Sequence, residues 1–282
     1  MESVTVDQNE NHSTPLRAPH QGLRDLPGGA ASESRSASQL RSVLRGVWRL
    51  VSTVCAMAGW RLEHLSAVWV AGSIVSVVLA HVLVARADWR LTLPYFLFTL
   101  VFYYGGNAAI LMSHLPRRAV DHLGEERAFR AYESLAGLMF LNQGLGVGCM
   151  AALHVPAWEQ AIPAPLGFAL GAALFVVGLG VKLWATLTVG VDVYYFRDMF
   201  LGRPLAHACL GGPYRFLRNP MYSVGQLQGY GYALLCGSLP GVVAAGAGHA
   251  LIYAFYLLAE RPFVRINYGL PNLSRNVASA PG

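Results

Sequence analysis

Charge in this 282-residue chain lies, with the exception of Lys182, outside a series of long apolar runs. Six such runs follow one another, near Ser66–Ala85, Leu93–Met112, Ser134–Val155, Leu166–Val189, Met221–Leu235 and Val242–Leu258. A backbone that passes through hydrocarbon must satisfy its own polar groups, so runs of this kind are restricted to packed helices. Only 13% of the residues are charged and 54% are hydrophobic, against about a quarter charged in an ordinary soluble domain. The expected fold is therefore all-α, a polytopic membrane bundle of about six transmembrane helices. The first four runs are long enough to cross a bilayer. The last two are short and are joined by Cys236-Gly237-Ser238-Leu239-Pro240-Gly241, a turn signal that predicts a C-terminal helical hairpin.

Residues 1–39 lack apolar periodicity and are rich in Ser, Pro, Gly, Asn and mixed charge, which predicts a disordered tail. They contain no basic start followed by an apolar stretch, so a cleaved signal peptide is not expected. Residues 40–65 alternate Arg with Val, Leu and Trp, the pattern of an amphipathic helix lying in the interface. N-terminal transmembrane helices are expected over 66–165, a core carrying the polar loop and the hairpin over 166–268, and a flexible tail over 269–282.

The net charge of +6 comes almost wholly from arginine, with Lys182 the one lysine. Arg117, Arg118, Arg127 and Arg130 lie between runs two and three, Arg197, Arg203, Arg215 and Arg218 between four and five, and Arg261, Arg265 and Arg275 after run six. The three–four and five–six connections carry no Lys or Arg. By the positive-inside rule both termini and the two Arg-rich loops are expected in the cytoplasm, with Arg86 and Arg90 off the pattern. Basicity tied to apolar spans, with no aromatic–basic recognition module, speaks against nucleic-acid binding. Cys55, Cys149, Cys209 and Cys236 show no CxxC or His-linked spacing, so no metal and no disulfide is expected.

Two polar clusters stand at helix ends on the same expected side. The first is Gly211-Gly212-Pro213-Tyr214-Arg215-Phe216-Leu217-Arg218-Asn219-Pro220-Met221-Tyr222. Asn219-Pro220 is a helix start, since Asn is a favoured cap and Pro a favoured first helical residue. The exposed N–H groups there, with Arg215 and Arg218 upstream, suit a carboxylate or phosphate. The plainer reading is a capped helix whose arginines meet lipid head groups. In the second cluster, Glu260 suits a cationic ligand unless Arg261 neutralises it. Asp198, within Tyr194-Tyr195-Phe196-Arg197-Asp198-Met199-Phe200, suits a general base or an ammonium partner, or else a salt bridge to Arg197 or Arg203. Lys182 lies inside run four, where a charge is costly and marks function unless its stem snorkels to the interface. Gly178 and Gly180 just before it allow a close approach of a ligand or of another helix. Gly144-Leu145-Gly146-Val147-Gly148 lies within an apolar helix with no preceding strand and is not a dinucleotide loop. His81, His154 and His249 are expected to be packed or interfacial, with His249 nearest the cleft.

From about Leu166 to Tyr268 the chain resembles the integral-membrane methyltransferases, a family that includes phosphatidylethanolamine N-methyltransferases and isoprenylcysteine carboxyl methyltransferases. Gly212-Pro213-Tyr214-Arg215 and Arg218-x-Pro220-x-Tyr222 are similar to its signature loop. Asn219-Pro220-Met221-Tyr222, with Ser223-Val224-Gly225 and Gly229-Tyr230-Gly231, is similar to the phosphatidylethanolamine branch. Gly178-Leu179-Gly180 resembles a cofactor element, Asp198 falls where that branch has an Asp, and Glu260-x-Pro262 resembles the second half of a paired-Glu element whose first member is Ala259 here. The resemblance implies an S-adenosylmethionine site formed by helix ends and the hairpin, open to the cytosol, with lipid entering sideways. It implies Gly178, Gly180, Asn219, Tyr222 and Glu260 on the cofactor, Arg215 and Arg218 on the cofactor carboxylate or lipid phosphate, and Asp198, with Tyr222, at the substrate ammonium. Two other readings stay open on the residues: a methyltransferase for a thiol, carboxylate or hydroxyl of a hydrophobic small molecule, and a non-catalytic binding or transport protein on the same scaffold.

Overall fold

The computed structural model describes residues 28–61, 66–155, 163–205 and 211–268. The tail expected over 269–282, most of that expected over 1–39, and Cys209 and Arg275 lie outside the described residues. The described residues form helices and turns, with no strand among them. Chain contacts divide them into two units, Met1–Gly46 and Val47–Gly282. Helix α1 (Gly28–Met57) contributes to both. It begins well before Leu40, because the Ala-, Glu-, Gln- and Arg-bearing stretch around residues 30–41 favours helix without an apolar stripe. Leu40, Val43, Leu44, Val47, Trp48 and Val51 recur at helical spacing and are exposed.

Five helices of the second unit are long and apolar enough to cross a membrane. They are α2 (Ala67–Arg86), the run from α3 (Trp89–Leu100) through a π-helical turn (Val101–Gly105) to α4 (Gly106–Leu111), α6 (Glu125–Ala151), α7 (Ala164–Val189), and the run from α11 (Leu239–Phe255) through a second π-helical turn (Tyr256–Glu260) to α12 (Arg261–Tyr268). Short helices α5 (Leu115–Leu123), α8 (Val191–Tyr194) and α9 (Arg197–Leu201) join them on one side.

The fifth apolar run departs from a simple helix. Only α10 (Leu227–Leu235) is regular, preceded by a turn at 220–223 and a 3-10 turn at Val224–Gln226. Asn219 does cap, its Oδ1 accepting from the Tyr222 N–H at 3.3 Å, but the segment it caps is a turn rather than a continuous helix. The Gly225 N–H donates to the Pro220 carbonyl at 2.8 Å, and a Cβ at Gly225 would stand 3.3 Å from Lys182 Cβ. The loop is thus folded against the flank of α7, and a run with Gly225, Gly229 and Gly231 has little intrinsic helix preference to resist that.

The hairpin itself is as expected. Ser238 caps α11 through the Gly241 N–H at 3.2 Å and donates its hydroxyl to the Leu153 carbonyl at 2.6 Å, tying the turn to the end of α6. α10 lies antiparallel on α7 at backbone contact. A Cβ at Gly171 would stand 2.9 Å from the Leu235 N, one at Gly178 would strike Gln228 N, and one at Gly231 would strike the α7 backbone at Phe175. Gly171 and Gly178 are two turns apart on one face, the small-residue seam by which membrane helices approach closely.

These contacts set the ends of the bundle. Gly241 meets Ala151 at one end. At the other, Arg197 and Arg203 pair with Glu126 and Glu125 at the start of α6, at 2.9 and 2.5 Å. Cys149 donates to the Ala80 carbonyl at 3.7 Å, and Gly72 packs on Leu138, so α2 runs parallel to α6 and places Arg86 at the far end. The three groups of arginines within the described residues therefore share one end, and Arg86 with Arg90 occupies the other.

The arginine-rich end is held by an ionic network. Arg61 donates to Glu133 at 2.7 Å and also to Asp192. Arg130 pairs with Glu133 at 2.8 Å and Glu126 at 2.7 Å, and Arg197 pairs with Asp192 at 2.5 Å. Burial raises the Asp192 carboxyl, but hydrogen bonds from Arg197 and Arg61 and their charges outweigh it and hold the group below the usual carboxylate value.

Candidate functional site

A cavity of about 460 Å³ opens between these helices, a size that suits a small-molecule ligand. Its walls come from both halves of the chain: Tyr103 and Tyr104 from the first π-helical turn, Phe140, Gln143 and Gly144 from α6, Lys182 from α7, Tyr194 and Phe196 from the segment after α7, the polar loop, and Tyr256 and Glu260 from the second π-helical turn. A π-helical turn widens the helix by one residue and re-aims the side chains it carries. Here both such turns face the same space.

Tyr222 is held from two sides. Its carbonyl accepts a hydrogen bond from His249 Nε2 at 2.8 Å, and His249 Nδ1 lies 3.1 Å from the Tyr230 hydroxyl. A neutral imidazole protonated at Nε2 satisfies both, with the Tyr230 hydroxyl donating to Nδ1. His249 is therefore packed, as expected of it, and it fastens the polar loop to α11. Burial first, then the neighbouring Glu260 carboxylate, push the Tyr222 phenol well above its ordinary value. Tyr222 is thus a neutral hydroxyl at the cavity wall, hydrogen-bonded to the Glu260 carboxylate.

Glu260 faces the cavity, and its Oε2 is buried with no hydrogen-bond partner among the described residues. Arg261 beside it is exposed. Lys182 also faces the cavity, only 5% exposed, its Nζ 5.1 Å from the centre of the Phe140 ring. The snorkelling alternative does not describe it. Arg218 is exposed at the rim and Asn219 lines the wall.

The other residues singled out from the sequence lie elsewhere. Gly178 is covered by the α10 backbone, while Gly180 is exposed and a Cβ there would meet nothing within 4 Å, so neither lines the cavity. Of the two readings of that pair, helix packing describes Gly178. Arg215 is exposed at the end of the 3-10 turn Gly212–Arg215 and is not a wall residue. Asp198 accepts a hydrogen bond from the Tyr268 hydroxyl and does not line the cavity either. The arginines offered as its partners, Arg197 and Arg203, are engaged by Asp192, Glu126 and Glu125.

Sequence reasoning missed the N-terminal wall. Tyr103-Tyr104 beside Gly105-Gly106, and Gln143 beside Asn142, were polar groups inside apolar spans, the signal that marks intramembrane function. Phe196 left no signal: it lines the cavity with a left-handed backbone, φ 59°, a conformation costly for a bulky side chain. Its ring packs on Phe255 at 5.1 Å, which offsets that cost.

Residues 166–270 match the phospholipid methyltransferase family model. The C-terminal resemblance read in the sequence is thereby established, and five apolar helices together with this match make the chain an integral membrane protein. Among similar proteins is the phosphatidylethanolamine N-methyltransferase of Komagataella phaffii, 28% identical over 173 residues, 60% of this chain and 19% of the relative. The enzyme of the same name from Ajellomyces capsulatus is 31% identical over 125 residues, 44% of this chain and 13% of the relative. That from Zygosaccharomyces rouxii is 29% identical over 100 residues, 36% of this chain and 12% of the relative. The chain thus spans less than a fifth of the length of these relatives. No solved structure matches it.

Proposed function

We propose that the protein is an S-adenosylmethionine-dependent membrane methyltransferase acting on the amino group of phosphatidylethanolamine or its partly methylated derivatives. The observation that carries this is Glu260: a buried carboxylate oxygen with no protein partner among the described residues, facing a cavity walled by tyrosines, inside the region that matches the phospholipid methyltransferases. The carboxylate meets the neutral Tyr222 hydroxyl but no positive charge among the described residues, and such a group is costly until a cation arrives. The cofactor and the acceptor head group both carry positive charge, so the residues fit both.

S-adenosylmethionine, when bound, supplies the methyl group from its sulfonium. Glu260, with Tyr103, Tyr104 and Tyr256 in the same wall, offers a carboxylate and aromatic groups of the kind that hold a cationic centre. An ammonium must lose a proton before its nitrogen can act as a nucleophile, and Glu260 Oε2 is the acceptor facing the cavity. Tyr222 donates a hydrogen bond as a neutral phenol and is kept in place by His249. Arg218, at the rim, suits a phosphate or carboxylate. Asp198 enters this scheme only through Tyr268, as a support for α12 rather than as the base. The arginine-rich end of the bundle is assigned to the cytoplasm, with both termini, so that a soluble cofactor reaches the cavity while the acceptor comes from the bilayer.

The test uses membranes of a bacterium that holds phosphatidylethanolamine but none of its methylated forms. Methyl-labelled S-adenosylmethionine is added and the lipids are separated. Label in mono-, di- or trimethylated phosphatidylethanolamine, lost in Glu260→Ala, is expected. Absence of lipid label from folded, inserted protein would overturn the reading.

A further inference from the structure

Lys182 is a buried ammonium to which the methyl-transfer scheme assigns no task. It is 5% exposed, within the apolar length of α7, and its Nζ lies over the Phe140 ring. No carboxylate pairs with it among the described residues: the acidic groups of the nearby ionic network are taken by Arg61, Arg130, Arg197 and Arg203. Lys182 also lines the cavity, as Glu260 does. A lysine is the compact point charge among the basic side chains, and this chain, which otherwise uses arginine throughout, has its one lysine here.

Its position is fixed rather than free to leave. The stem of Lys182 lies against Gly225, and the cation sits on the aromatic face that favours its charged form. A buried cation is destabilising unless a counter-charge answers it. Since the protein places none there among the described residues, the geometry points to the ligand as its source: Lys182 is the anion seat of the cavity and takes an anionic oxygen group, the carboxylate of the methyl donor or the phosphodiester of the acceptor lipid. Glu260 and Lys182 then form the two poles of a site for a dipolar ligand, while Arg218 meets solvent at the rim. The assignment builds on the methyl-transfer reading only for which anion is bound; the seat itself rests on the burial and surroundings of Lys182.

A single lysine makes the test direct. Reductive methylation with ¹³C-formaldehyde labels Lys182 and the N-terminal amine, keeps their charge, and gives a Lys182 signal identified by its loss in Lys182→Met. The labelled protein is titrated separately with S-adenosylhomocysteine, with dihexanoylphosphatidylethanolamine and with inorganic phosphate, and binding is followed in parallel by calorimetry. A shift of the Lys182 signal with S-adenosylhomocysteine, absent with its decarboxylated analogue, identifies the carboxylate. A shift with the lipid but not with S-adenosylhomocysteine identifies the phosphodiester. In either case Lys182→Met should weaken that ligand about tenfold to a hundredfold, as expected for a charge-assisted hydrogen bond, and Lys182→Arg should restore part of it. A shift with inorganic phosphate alone, with neither other probe bound, keeps the seat and overturns methyl transfer. S-adenosylhomocysteine and lipid bound without any shift and with unchanged affinity in Lys182→Met keep methyl transfer and overturn the seat. No response to any probe overturns the seat as well.

Discussion

The same kinds of charge appear in two regions of this molecule under opposite rules. At the arginine-rich end, Arg61, Arg130 and Arg197 are each shared between acids, and Glu133, with a side chain 5% exposed, accepts from two arginines. Within the cavity, the buried Lys182 and the half-buried Glu260, whose Oε2 is buried, stand without ionic partners among the described residues. The network answers its own charge and so holds structure. The cavity leaves its charge unanswered, which costs stability and is retained only where something else supplies the counter-charge.

That contrast can be broken at several points, the heaviest being Glu260. Glu260→Gln removes the cavity carboxylate with little change of shape, and turnover is expected to fall about a hundredfold or more while thermal stability holds or rises. A rate within a factor of a few of the parent, in the lipid-labelling assay, would place Glu260 outside the reaction. The converse is expected of Glu133→Ala in the network: a loss of about 3 kcal/mol, because Arg61 and Arg130 are left without their shared acid. Denaturant unfolding in detergent reads this directly, and an unchanged midpoint would show that the network is not what holds that end.

Acidity offers a graded version of the second experiment. The native Asp192 carboxyl is depressed below its unfolded value, so its contribution is complete above the ordinary aspartate value of about 3.9 and is lost as pH falls from there through the native value. Melting temperature should therefore drop on acidification below about pH 4, and Asp192→Asn should flatten that limb. Asp198→Asn is expected to change turnover by no more than a few-fold, since its contact is Tyr268 and not the cavity. A hundredfold loss with normal folding would restore Asp198 as the base. Smallest of all is Arg203→Ala: both partners of its pair with Glu125 are about half exposed, and a change within about 0.5 kcal/mol is expected.

How much of this was legible beforehand follows from which forces act locally. Hydropathy read the place and order of the spans, because apolarity is a property of a single segment, but not all of their ends: α6 begins nine residues before the expected Ser134, and the last span runs ten residues past Leu258. The turn at Cys236–Gly241 read correctly for the same reason. The fifth run did not read as turn, 3-10 turn and short helix, since its shape depends on Lys182 and the α7 seam, which are distant in sequence. Within the candidate site, Glu260, Tyr222, Asn219 and Arg218 stand out by motif and helix-end chemistry and do face the cavity. Gly178 carried the right residue type for a close approach, but the approaching group is a helix. Tyr103, Tyr104 and Gln143 were visible only as polar groups in apolar spans, with nothing local to say that they converge on the polar loop.

That convergence limits how portable the C-terminal region is. Residues 166–270 carry the loop, the hairpin and Glu260, yet one side of the cavity is built from Tyr103, Tyr104, Phe140 and Gln143, and the Tyr104 hydroxyl donates to the Gly248 carbonyl at 2.8 Å. A chimaera that moved the matched region alone onto other helices would carry the chemistry without its enclosure. The unit of inheritance is larger than the stretch of recognisable sequence, and swaps between related chains should be cut ahead of α3 rather than at α7.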